Sequence, residues 1–121
     1  MPPRVLVVGL DPYRVPGPWD PEPVSEAIRA GMAGLAERGF DARSCLVGLD
    51  GSEDVEATVA AALVTGPWDA VLVGGGLRTE ETLEVFEAVL NLVHRLAPAA
   101  AIALNSRPDD LAAAVERALA R

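Results

Sequence analysis

An apolar run, Ala70 to Val73, leads into Gly74-Gly75-Gly76-Leu77-Arg78-Thr79, and the chemistry available to this chain starts there. Glycine lets the backbone turn with φ > 0 and approach a ligand closely. A helix beginning nearby offers unpaired N–H groups, and a guanidinium can grip a phosphate or carboxylate at two points. Arg107, preceded by Asn105 and Ser106, and Arg14 in the first long loop can converge on the same place. Asp11 is the carboxylate best placed to act as a general base or to hold a hard cation. Tyr13 and Trp19 can cover such a pocket. The glycines serve equally well as a sharp turn off a buried strand, and neither the G-x-G-x-x-G nor the P-loop spacing is present.

The rest of the inventory narrows the chemistry. Of 10 Lys and Arg residues every one is arginine, which removes Schiff-base lysines and the phosphate-binding lysine of P-loops. Cys45 is the single cysteine and His94 the single histidine, so one chain cannot assemble the usual Cys/His zinc site. His94 falls on the polar stripe of its helix and reads as a surface residue, and Cys45, mid-strand, as core. No resident metal is assigned, a magnesium held by one or two carboxylates stays open, and no cofactor is specified. Each expected helix start carries its own carboxylates: Asp20 and Glu22, Glu53 and Asp54, Glu80 and Glu81, Asp109 and Asp110. Acidic residues there satisfy orphan N–H groups and the helix dipole, which leaves less positive potential for a bound anion.

Positioning these residues falls to a repeating strand and helix pattern. Strands are expected at Arg4 to Gly9, Ala42 to Val47, Ala70 to Val73 and Ala100 to Leu104. Helices are expected from Asp20-Pro21 to about Arg38, from a Ser52 cap to about Thr65, from Thr79 to Leu96, and from Pro108 onward. Gly31 and Gly34 inside the first helix imply close backbone packing against the sheet, and Gly39 stops that helix. The pattern implies right-handed crossovers and a single α/β domain over residues 1–121. The expected architecture is a three-layer sandwich on a four-stranded parallel sheet of order 2-1-3-4. It resembles a flavodoxin-like, Rossmann-like arrangement without a fifth strand, with the first and last helices on one face. Strand C-termini and helix N-termini then share one edge, and ligands in such folds bind near the switch point between strands one and three.

A net charge of −8 argues against nucleic acid and anionic membrane surfaces as partners. No apolar run approaches the roughly 20 residues that span a bilayer, and the expected location is the cytoplasm. The third helix carries two apolar rows, Leu83, Phe86, Leu90, Val93 and Val85, Val89, Leu92, Leu96, a stripe wider than a surface helix needs. Strand four lacks a charge or proline to guard its edge. Together they imply a homodimer through helix three, strand four or both. The functional expectation is binding of a small anionic or polar metabolite at the C-terminal edge by Gly74, Gly75, Gly76, Arg78, Thr79, Tyr13, Trp19, Asn105, Ser106 and Arg107, with Asp11 as candidate base. The alternative is a non-catalytic homodimeric scaffold or regulatory partner. The sequence does not decide whether the chain is an enzyme.

Overall fold

The computed structural model describes residues 1–121. Strands β1 (Arg4–Leu10), β2 (Asp41–Val47), β3 (Ala70–Val73) and β4 (Ala101–Leu104) alternate with helices α1 (Glu22–Glu37), α2 (Val55–Leu63), α3 (Leu83–Leu96) and α4 (Leu111–Leu119). The sheet is parallel throughout, in the order β2-β1-β3-β4. Every side chain of β3 is buried, as a central strand covered on both faces requires.

Two cores result from the period-two alternation of the strands. Leu6, Val8, Val71 and Val73 face α2 and α3, where they meet Val59, Leu63, Val89 and Val93. Val5, Val7, Ala70, Leu72 and Ala103 face α1 and α4, where they meet Leu35, Leu111 and Val115. This is the flavodoxin-like three-layer arrangement that the sequence pattern implied. No helix is long and apolar enough to cross a membrane.

Several local expectations are corrected. Asp54, not Ser52, caps α2: its side chain accepts from Ala57 N–H, while Ser52 is tied to Asp50. Helix α3 begins at Leu83 rather than Thr79, because Thr79 and Thr82 bond each other's backbone N–H groups and lock a turn ahead of it. A Cβ added at Gly31 would lie 2.5 Å from the Pro108 carbonyl oxygen, so the helix needs that glycine, whereas one at Gly34 would meet nothing within 4 Å. Gly39 does take a left-handed φ of 87° where α1 ends. Gly74, Gly75 and Gly76 do not: Gly74 is extended and Gly75–Leu77 forms a single 3-10 turn.

The edge of β4 also differs from expectation. Ala101 N–H donates to Asp69 on the β3 side, so by alternation Ile102 and Leu104 turn their backbone groups outward. Arg117 of α4 donates to the Leu104 carbonyl oxygen at 2.7 Å and partly caps that edge. A guard is therefore present, supplied from the following helix.

Candidate functional site

At the C-terminal edge, between the ends of β1 and β3 and beneath α1 and α4, lies a cavity of about 310 Å³. That volume is at the lower end of what small-molecule pockets offer. Its floor is backbone: Gly9 is the penultimate residue of β1, and Gly74, Gly75 and Gly76 follow β3. Four positions at the switch point thus contribute no side chain beyond hydrogen. The walls are apolar, formed by Val24 and Ile28 of α1, Leu111 of α4, and Pro12, Val15 and Trp19 of the proline-rich loop. Val24 and Ile28 sit at core spacing yet are only half-buried, since the cavity stands where packing partners would be.

A salt-bridge clamp fixes the loop that supplies one wall. Asp11 caps a 3-10 turn, Pro12–Arg14, by accepting from Tyr13 N–H, and pairs with Arg14 Nε at 3.0 Å. The same guanidinium donates to Glu53 at 2.6 Å and to the Leu46 carbonyl at 3.0 Å, bridging the loop to the β2–α2 connection. Glu53 in turn accepts from Gly48 N–H and Thr58 Oγ1. The Gly48 N–H, then the Thr58 hydroxyl, outweigh the effect of partial burial and, with Arg14, hold the Glu53 carboxyl below its ordinary range.

Backbone donors at four points along this edge are occupied by the protein's own carboxylates. Asp20 accepts from Glu22 N–H, Asp50 from Ser52 N–H, and Asp54 from Ala57 N–H. Asp110 takes Ser106 N–H, Ser106 Oγ and Arg107 N–H. Burial pushes the Asp110 carboxyl up, but the Arg107 N–H and the Ser106 donors overcome it and leave it below its ordinary value. An incoming anion would find these positions filled.

The expected site residues divide into two sets. Gly74, Gly75, Gly76, Asn105, Ser106, Arg107 and Trp19 line the cavity together. Asp11, Tyr13, Arg78 and Thr79 do not. Asp11 is engaged by Arg14, and the exposed Tyr13 hydroxyl donates to Glu22, whose carboxylate raises the phenol pKa. Arg78 donates to the carbonyls of Asn105 and Val73, tying the ends of β4 and β3 together, while Thr79 serves the turn before α3. Arg107 borders the cavity with its Nε on Asp109 at 3.2 Å. No three His, Cys, Asp or Glu side chains gather in a way suited to a metal ion. Cys45 is buried, and burial raises its thiol pKa, while His94 is exposed at the far end of α3.

Two copies of one short motif show what is unusual about this edge. Gly17-Pro18-Trp19-Asp20 recurs as Gly66-Pro67-Trp68-Asp69 at the opposite end of the sheet. In each, a Cβ on the glycine would lie within 2.8 Å of the tryptophan ring, so the indole folds back over its own turn. Trp68 is 6% exposed, donates its N–H to the Leu63 carbonyl and lies under the Arg4 guanidinium. Trp19 is 41% exposed and its indole N–H makes no hydrogen bond within the chain.

The chain stands apart. It matches no protein-family model, no curated protein and no solved structure at a significant level. The site is therefore read from its own geometry. The edge and its glycines are legible in the sequence, whereas Val24, Ile28 and Gly9 carry no sign there of a part in the site. The signal that could have found them was the coincidence of a glycine near the end of β1 with three more following β3, four missing side chains at one point of the sheet.

Proposed function

We propose that this protein binds a small, uncharged, mostly apolar molecule in the cavity between β1, β3, α1 and α4. The observation that carries the reading is a mostly apolar cavity on a glycine floor at the switch point, bordered at Ser106 and Arg107 by backbone donors that Asp110 already occupies. The location is the one expected from sequence, and the proposed ligand is neutral and mostly apolar where the expectation was anionic or polar. Charge agrees, since a net −8 repels anions at long range. A thermal-shift screen of inorganic phosphate, nucleotides, carboxylates and Mg²⁺ against neutral aromatic and aliphatic fragments tests it. Neutral fragments should raise Tm by several degrees and phosphate or carboxylates should not. A rise confined to the anions, or no rise with any fragment at millimolar concentration, would contradict it.

A homodimer through β4 is a second reading, favoured by the exposure of Ile102 at 43% and Leu104 at 39% on one strand, with Leu83 and Leu96 of α3 also exposed. It is compatible with ligand binding, because β4 is the sheet edge away from β1. Sedimentation at tens of micromolar tests it, with a dimer expected and a monomer refuting it.

A further inference from the structure

Asn105 is the one residue whose buried side chain has an unspent polar atom. It follows β4, is 4% exposed and lines the cavity beside the glycine floor. Its Nδ2 donates to the Arg107 carbonyl at 2.7 Å, which fixes the orientation of the amide: exchanging the two ends would set oxygen against oxygen. Oδ1 is thereby left as an acceptor with no donor from the chain. The position is also held from behind, because Arg78 donates to the Asn105 main-chain carbonyl and to that of Val73. An unsatisfied buried acceptor is costly, and such atoms in native proteins call for an explanation. A leucine of similar size would fill the same space beside the apolar walls without that cost.

Building on the proposed apolar-ligand site, we infer that Asn105 is its specificity determinant, selecting neutral ligands that present an N–H or O–H donor to Oδ1. Val24, Ile28 and Leu111 accept any apolar body of suitable shape, while Ser106 and Arg107, which also line the cavity, are engaged by Asp110 and Asp109. The backbone floor at Gly9 and Gly74 leaves room for a flat ring to lie across the strand ends. Asn105 lines the cavity, and its buried, unpartnered Oδ1 is the acceptor that a ligand donor would satisfy. The donor must be neutral, because an ammonium taken into this lining would lose its hydration without meeting an unpaired carboxylate. A carboxylate ligand would set its charge against an acceptor. The class selected is thus an aromatic or alicyclic alcohol, phenol, amide or azole N–H compound of roughly ten heavy atoms, sized to the pocket.

Three bicyclic probes of nearly one shape separate the possibilities. Indole carries a ring N–H donor, indene has a CH₂ at that place, and benzofuran has an acceptor. Binding to the full chain is measured by ligand-observed NMR or calorimetry. Wild type should hold indole about tenfold more tightly than indene, the amount one recovered buried hydrogen bond supplies, and benzofuran no more tightly than indene. Asn105→Ala and Asn105→Leu, each first checked for a native circular dichroism spectrum, should bind indole and indene equally. Equal binding of indole and indene by wild type overturns the assignment to Asn105 and leaves the apolar pocket standing. Tightest binding of benzofuran overturns it as well, since the amide would then be acting as a donor. Failure of all three probes to bind removes the pocket reading itself, and this inference with it.

Discussion

Gly9→Val should make the protein more stable while closing its pocket. Gly9 is buried in β1 on the face shared with Val5 and Val7, and a Cβ placed there would meet only Leu46 Cδ2, at 3.6 Å, an ordinary contact. The branched side chain would enter the cavity of about 310 Å³ without displacing backbone. Burying a valine side chain contributes about 1.5 kcal/mol, and removing a glycine from a strand interior about 0.5 kcal/mol or more. Because the pocket mouth is open and the new methyls are packed on one side only, the expected net gain is about 1–2 kcal/mol. With an unfolding entropy near 2.1 cal/mol/K per residue, a chain of 121 residues gains about 4 °C in Tm per kcal/mol, so the shift should be about 4–8 °C. Differential scanning calorimetry measures it, and the ligand-dependent rise seen with wild type should vanish in the variant. Such a trade of function for stability is what an unfilled binding cavity predicts. A loss of stability would refute the reasoning, because it would mean that the cavity is filled by wall side chains in solution.

Other perturbations test the supports of the site. Gly31→Ala and Gly34→Ala, three residues apart on α1, should differ in sign: the first forces a Cβ to within 2.5 Å of the Pro108 carbonyl, and the second meets open space. Urea unfolding should show a loss of about 1–3 kcal/mol for Gly31→Ala and a gain of about 0.5–1 kcal/mol for Gly34→Ala. Acid stability should depend on Glu53. Its pKa is lowered in the folded chain from 4.5, so its contribution is complete above that value and is lost as pH falls through the folded one. Wild type and Glu53→Gln should therefore differ most at neutral pH and converge toward pH 2, read as Tm against pH; parallel curves would remove Glu53 from the account. If β4 mediates a dimer, Ile102→Arg should yield monomer in sedimentation with the circular dichroism spectrum unchanged.

The architecture was legible because it rests on period and punctuation. Ala70 to Val73 reads as a doubly covered strand from composition alone, and Gly39 and Gly66-Pro67 mark helix ends by backbone rules that tertiary contacts seldom override. Which of several polar residues wins a local bond was less so. Ser52 and Asp54 are both good caps, and the choice fell to Asp54 because Ser52 is held by Asp50 in the preceding turn. The site shows the same division. Topology brings strand ends to one edge, so the location at Gly74 to Gly76 follows from the order of elements. The fate of each charge does not, because Arg14 and Arg78 are long side chains whose partners, Glu53 and the Asn105 carbonyl, lie 39 and 27 residues away. Periodicity likewise cannot separate a helix face that packs from one that lines a void, so it gives Val24 and Ile28 no mark that distinguishes them from core residues.

Backbone amide mapping tests the central claim most directly. In a ¹⁵N-labelled sample titrated with indole, saturable shifts should be largest at Gly9, Gly74, Gly75, Gly76 and Asn105 and at the Trp19 indole N–H, the groups around one cavity. The N–H groups of Trp68 and of Ala57 in α2, outside it, should stay in place. Shifts centred on the Leu96 to Ala100 end of the sheet, or non-saturating shifts spread over the exposed faces of α3 and β4, would contradict the account.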